Sequence, residues 1–538
     1  MQHDPSGWRT RLDRDMIARY RAEGAWLDRT IGAQLRSLAT AAPDRTLFID
    51  DRRTLTADVV FDRATRLANA LAGLGLKASD VVSFQLPNWN EAVLVELACS
   101  LGGFVSNPIV PIYRDKEVGF ILANARSRVL FVPEAFRGFD YRAMLARLAG
   151  QCPDLTRVIY VRSADGAFDA LIDGAAAAPL ADPDPNHVKL LLYTSGTTAA
   201  PKGVLHTHNT IDCEVRNFAR SLGLGSGDVI LMPSTLCHVT GYLYGIQLPI
   251  ALGIPAVLMD VWNAAAAADL VDRYGVTFTI GATPFLQELA QFSEHEKRPL
   301  PSLRLFASGG APVPPGIVYT AERAFADCRV FRVFGSTEAP TVTLGVLDEA
   351  AADLRAYTDG RVVGHEVRLL RPDGSRCDVG EEGEIVTRGP ELCVGYAWEL
   401  NDAFDDDGFF HTGDLGRFDA HGCLTVTGRA KDLIIRGGEN ISPKEIEDVL
   451  YTHAAIRDAA VVAMPHARLG ETACAFVTLH AGARFEMEDL RALVEASRLA
   501  KQKWPERLEV LDVLPMTPSG KIRKNVLRER AASLRPVC

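Results

Sequence analysis

The sequence predicts an α/β chain: a large body of layered strands and helices, a small antiparallel or barrel-like β section, and a small α+β unit at the C-terminal end. Three observations carry this reading. Short apolar runs alternate with amphipathic stretches through most of the chain, shorter runs alternate with turns from about Val362, and helical and strand periodicities mix after about Lys431. Phe61–Leu76 sets leucines and alanines at helical spacing. Val81–Pro87 reads as a strand ended by proline, and Asn90–Gly103 as a second helix stopped by glycine. Val129–Glu134 and Val158–Ser163 read as buried strands, so the rhythm implies a largely parallel sheet covered on both faces. Further strands are expected at Val188–Tyr193, Phe278–Ala282, Leu303–Ser308 and Val330–Gly335, and Ala264–Ala268 as a helix start. Gly383–Pro390 and Gly422–Arg429 belong to the antiparallel section. The last unit is expected to hold helices at Ser442–His453 and Met487–Leu499 and strands at Ala459–Pro465 and Ala473–His480. The domain boundary is placed at Lys431, dividing the chain into 1–430 and 431–538.

A chain of 538 residues with 47% hydrophobic and 23% charged residues can bury a large core, which excludes wholesale disorder. A net charge of −10 argues against a nucleic-acid binder, yet a few local cations can still hold a phosphate. The N-terminal stretch is charged and has no secretory apolar core. The longest apolar run, Leu248–Met259, is too short to cross a bilayer and is broken by Pro and Gly. No transmembrane segment and a cytoplasmic location are therefore expected. None of the ten cysteines has Cys-x-x-Cys spacing, which fits reduced thiols, and Cys538 is not placed for prenylation.

The most informative segment is YTSGTTAAPKGV, Tyr193–Val204. Gly196 and Gly203 permit backbone conformations that other residues resist. Thr194, Ser195, Thr197 and Thr198 set four hydroxyls beside backbone N–H groups, and Lys202 adds a charge. Such a donor array suits a phosphate chain, although no Gly-Lys-Ser/Thr ends it as in a Walker A loop. Read alone, a Ser/Thr/Gly cluster is more often a polar surface loop. The full pattern resembles the phosphate-binding signature of adenylate-forming enzymes, the family of acyl-CoA synthetases, peptide-synthetase adenylation domains and firefly luciferases. Ala199 departs from it, standing where glycine is usual. The family's other motifs follow in order: GGAP at Gly309–Pro312, FGSTE at Phe334–Glu338, HTGD at His411–Asp414, GRAKD at Gly428–Asp432 and PMTPSGK at Pro515–Lys521.

The resemblance implies roles for these residues. Gly310, Ala311 and Pro312 would line adenine. Phe334 would stack on it, without the hydroxyl of the more usual tyrosine, with Gly335 and Ser336 in the same turn. Thr337 would bond the α-phosphate and Glu338 would ligate Mg²⁺. Asp414 and Arg429 would hold the ribose, Lys431 would be the hinge of a mobile C-terminal domain, and Lys521 would be the catalytic lysine. His238, Val239, Thr283, Gly309 and Phe334 would line the acyl pocket, with His238 near the carboxylate. Arg436, Gly437 and Gly438 would border a channel for coenzyme A. The implied reaction joins a carboxylic acid to ATP as an acyl-adenylate and then to CoA. The uncharged pocket residues point to an alicyclic, aromatic or medium-chain aliphatic acid and away from an α-amino acid; cyclohexanecarboxylate- and medium-chain acyl-CoA ligases are similar. A ligase that stops at the adenylate, or one that loads a separate acyl carrier protein, is the alternative. Pairing as a homodimer is left open.

Overall fold

The computed structural model describes residues 2–194, 201–311, 313–348, 351–399, 402–437, 439–497, 499–517 and 521–534. Ser195, Gly196, Thr197, Thr198, Ala199, Pro312 and Gly438 lie outside them.

The alternating apolar pattern becomes two packed sheets. Among the described residues one sheet has seven strands, with Arg157–Val161, Val129–Pro133, Val81–Phe84, Val105–Pro108 and Val188–Thr194 running parallel side by side. The other has thirteen. Its parallel core is Thr46–Ile49, Ala256–Leu258, Ile230–Met232, Phe278–Gly281, Leu305–Gly309 and Arg329–Phe334. Helices Ala57–Gly73 and Asn90–Gly102 share one apolar cluster with strands of both sheets. The second helix is apolar on nearly every face, which is why it can be buried all round. Gly103 closes it in a left-handed conformation. The polyalanine run opens a helix, Ala264–Tyr274, capped by the Asn263 side chain. No helix among the described residues is long and apolar enough to cross a membrane; Leu248–Met259 divides into a short helix and a short strand.

The antiparallel section is present, but it does not stand apart. Strands Glu366–Leu370, Gly383–Arg388, Phe410–Phe418 and Cys423–Arg429 join the parallel core through Gly360–Val362 and Thr343–Leu344, so one sheet runs through both. Arg332 fastens the junction. It is buried on the strand Arg329–Phe334 and reaches both oxygens of Asp359, at 3.1 Å from Nε and 3.2 Å from Nη2. Asp359 Oδ2 also accepts from the N–H of Val426 at 2.8 Å.

The C-terminal unit builds a separate sheet. The hairpin Ile456–His466 with Gly470–Leu479 is its long axis, and helices Pro443–Leu450 and Met487–Ala496 pack on it.

Candidate active site

In open α/β sheets ligands gather beyond the carboxyl ends of parallel strands. Most of the candidate residues stand there. Thr283 follows the strand Phe278–Gly281; Gly309, Gly310 and Ala311 end or follow Leu305–Gly309; Phe334 to Glu338 follow Arg329–Phe334, its neighbour. His238 and Val239 open a short helix beyond Ile230–Met232, another strand of the same set. That helix runs into a π-helical segment, Leu243–Gln247, a conformation often found near functional sites.

Two paired strands flank the hydroxyl-rich segment. The sequence reading takes Val188–Tyr193 as a strand and expects a helix from about His208. Both elements are present, but a second strand, Lys202–Thr207, lies between them and pairs antiparallel with the first, Thr194 opposite Lys202. Lys202 does not point free: its Nζ lies 3.0 Å from Glu399 and 5.1 Å from the Tyr396 ring centroid.

The FGSTE segment folds as a tight turn. A Cβ on Gly335 would fall 1.9 Å from the carbonyl oxygen of Pro340, so no other residue fits that backbone. The Ser336 N–H donates to Ala339 O at 2.8 Å, and Ser336 Oγ accepts from the Ala339 N–H at 3.1 Å. Three groups that sequence reasoning missed brace the turn from behind. His206 Nε2 donates to Thr337 O at 2.8 Å, the Cys393 N–H donates to Glu338 O at 2.8 Å, and the Tyr396 hydroxyl donates to Glu338 Oε1 at 3.1 Å. Arg11 reaches over from the start of the chain, with Nε donating to Cys393 O at 2.8 Å. The His206 signal was one residue beyond the Tyr193–Val204 pattern plus one more; Arg11 and Cys393 have no local signal, because they meet only in the fold.

Burial pulls the His206 imidazole down to about 4, against the smaller opposing effect of its bond to Thr337. The folded chain releases this proton while the unfolded chain holds it below about 6.5, so stability is lost as pH falls from about 6.5 towards 4. In that window His206→Gln should flatten the dependence of unfolding free energy on pH by up to about 1.4 kcal/mol per unit. Urea titrations at several pH values measure it, and parallel curves for the two proteins would contradict it.

Asp414, Arg429 and Lys521 meet between the large body and the C-terminal unit. Asp414 and Arg429 face each other on paired strands, with Arg429 Nε 2.8 Å from Asp414 Oδ1. Burial raises the Asp414 carboxyl, offset by the charges of Arg429 and Lys521. Lys521 is held at its backbone by Thr517: its N–H donates to Thr517 Oγ1 at 3.0 Å and its carbonyl accepts from the Thr517 N–H at 2.6 Å. The half-buried ammonium is partly desolvated, which lowers its pKa. The positive charge of Arg429 lowers it further, while Asp414 and Glu338 oppose. His238 is pulled down to about 4, first by burial and then by the charge of Lys521. The structure therefore gathers Lys521, Asp414, Arg429, Glu338 and His238 around one place. Lys431 sits in the short helical turn Ala430–Asp432, directly after the last strand of the large body.

Arg436 and Gly437 are not part of that gathering. Arg436 makes its contacts inside the C-terminal unit, pairing with Glu506 and donating to Gln502 O at 2.7 Å. Gly437 turns with positive φ, its N–H donating to Leu469 O at 2.8 Å.

A large α/β body carrying a small C-terminal unit that delivers a lysine into the site defines the class. The chain belongs to the AMP-binding enzyme family: the AMP-binding enzyme profile matches residues 35–397, and the AMP-binding enzyme C-terminal domain profile matches 445–521. Within the family it stands in the AMP-forming acid–CoA ligase branch. It is 34% identical to a medium-chain fatty-acid–CoA ligase of Escherichia coli, over 95% of this chain and 92% of that protein. It is 33% identical to a salicyl-AMP ligase / salicyl-S-ArCP synthetase of Mycobacterium tuberculosis, over 97% and 94%. The ATP-bound structure of MatB from Rhodopseudomonas palustris superposes with a TM-score of 0.85 at 26% identity, covering 94% of this chain and 99% of that one.

Proposed function

We propose that this enzyme activates an apolar carboxylic acid, alicyclic, aromatic or medium-chain aliphatic, and passes the acyl group to coenzyme A in the cytoplasm. In the first half-reaction a carboxylate oxygen bonds to the α-phosphorus of ATP and the bond to the β-phosphate bridging oxygen breaks, releasing pyrophosphate. In the second, the CoA sulfur bonds to the acyl carbon and the bond to AMP breaks. The observation that carries this reading is the half-buried Lys521 beside Asp414, Arg429, Glu338 and His238. Its positive charge stands ready for the charge that gathers on the bridging oxygen. Asp414 and Arg429 suit a ribose, as acceptor and donor. The turn Phe334–Thr337 offers a ring face and a hydroxyl to the nucleotide.

Glu338 offers a hard carboxylate oxygen, already oriented by Tyr396, which fits an ion that takes its remaining ligands from phosphate and water. Mg²⁺ there would neutralise phosphate charge. Lys431 is proposed as the hinge dividing 1–430 from 431–538. The channel for CoA would form only once the C-terminal unit has turned and carried Arg436 and Gly437 to the site.

The apolar acyl group is supported by Val239, Thr283, Gly309 and Phe334, which carry no charge, and by the medium-chain fatty-acid specificity named for the E. coli relative. The carrier-loading name of the M. tuberculosis relative keeps a second acceptor in play. Pyrophosphate release across a panel of carboxylic acids, with and without CoA, followed by mass detection of acyl-CoA, tests both. Release with apolar acids and a CoA ester as product is expected. Adenylate that accumulates while CoA is untouched would move the assignment to a separate carrier protein, and no release with any acid would end it.

A further inference from the structure

Behind the nucleotide turn, three side chains from distant parts of the chain converge in the interior. Glu214 lies on the helix His208–Leu222, His365 stands just before the strand Glu366–Leu370, and Glu391 follows the strand Gly383–Arg388. One ligand atom of each lies within 4.8 Å of the other two. Glu214 is 1% exposed, and the side chains of His365 and Glu391 are 0% and 1% exposed.

Each of the three has one polar atom pinned and the other left over. Glu214 Oε1 accepts from the Tyr244 hydroxyl at 2.6 Å; Glu391 Oε1 accepts from Asn217 Nδ2; His365 Nδ1 lies 3.1 Å from Thr387 Oγ1. The remaining atoms, Glu214 Oε2, His365 Nε2 and Glu391 Oε2, are buried without a hydrogen-bond partner. That is the arrangement of metal ligands oriented by an outer shell, in which the far atom of each ligand is fixed so that the near atom points at the ion.

The spacing agrees. His365 Nε2 and Glu391 Oε2 are 3.1 Å apart without the alignment of a hydrogen bond. Two donors of a tetrahedral ion with bonds of about 2.0 Å stand about 3.3 Å apart. Room for the carboxylate is kept by Gly364: a Cβ there would fall 2.2 Å from Glu391 Oε1. Two ionised carboxylates buried side by side are costly unless a proton or a cation lies between them. Cys213 Sγ lies 3.8 Å from Glu391 Oε1 and adds a soft donor nearby.

We propose that Glu214, His365 and Glu391 hold a divalent transition-metal ion, zinc in preference to manganese or iron. A set of two carboxylates, an imidazole and a neighbouring thiol suits zinc, whereas magnesium prefers oxygen ligands alone. The ion is structural. It ties the helix Leu222 ends to the antiparallel section and to the segment that carries Cys393, two residues from Glu391 and bonded to Glu338.

The test uses the full-length enzyme without ATP. After chelator treatment the protein is dialysed against Zn²⁺ with excess Mg²⁺, and bound zinc is measured by mass spectrometry. About one ion per chain is expected in the unmodified protein, with a higher melting temperature on zinc return. His365→Gln and Glu391→Gln should each drop retained zinc at least tenfold, while Glu338→Gln should retain it. Unmodified protein that keeps no zinc and melts at the same temperature with and without Zn²⁺, Mn²⁺ or Fe²⁺ overturns the proposal, whether or not the variants fold. So does zinc kept undiminished by a folded Glu391→Gln; a proton shared between the carboxylates is then what occupies the site.

Discussion

Lys521→Ala is expected to cut pyrophosphate release by about 10²–10³-fold or more, while CoA ester formation from a supplied acyl-adenylate should continue close to the unmodified rate. The magnitude is that of removing one preorganised charge from a site that excludes water. The asymmetry comes from placement. Lys521 belongs to the C-terminal unit yet stands, half-buried, beside residues of the large body, Asp414, Arg429 and Glu338, with His238 sensing its charge. On the proposed mechanism, only the adenylate-forming half-reaction would use it there. The same placement predicts that Lys521→Arg rescues little, because a broad planar guanidinium replaces a compact ammonium in a packed position beside Arg429. Assaying the two half-reactions separately decides the matter: an equal loss in both would refute the division of labour.

Asp359→Ala costs about 3–5 kcal/mol of stability, the effect of stripping the partner from a buried charge. Arg332 would be left in the interior with only the Ala356 carbonyl, and the Val426 N–H would lose its acceptor. Asp359→Asn keeps the shape and one acceptor oxygen and should cost less. Urea unfolding of the three proteins measures the order. A folded Asp359→Ala within about 1 kcal/mol of the unmodified enzyme would show that the junction is not held this way. Activity should fall with stability, since the strand that carries Val426 also carries Arg429.

Much of this was legible in sequence because it is local. Phe61–Leu76, Asn90–Gly103 and the strands of the parallel core declare themselves by periodicity, and the structure shifts their ends by a few residues only. The ordered motifs were legible for the same reason: a glycine such as Gly335 marks a backbone that no other residue can follow, and it does so within five letters. What escaped depends on distant meetings. The strand Lys202–Thr207 hid beside the hydroxyl-rich segment, whose polar letters masked the β pattern. The continuity of the antiparallel section with the parallel sheet rests on two short strands, Thr343–Leu344 and Gly360–Val362, too brief to show a period. Arg11, Tyr396 and His206 brace the FGSTE turn from elements far apart, and Glu214, His365 and Glu391 look like three ordinary polar residues until the fold joins them.

The bond from Arg11 to Cys393 has a consequence for how the enzyme is made. Its ends are separated by 382 residues, and the Arg11 N–H also donates to Val394 O at 2.8 Å, while Trp26 Nε1 donates to Pro390 O at 2.9 Å. At a synthesis rate of about 5–20 residues per second, Arg11 waits on the order of 20–80 s for its partners. The βα units between can pack meanwhile, but the backing of Glu338 closes only when the 390s emerge. A nascent chain halted before that point would carry a formed core and an unbraced Glu338, with the Trp26 indole N–H still lacking its acceptor.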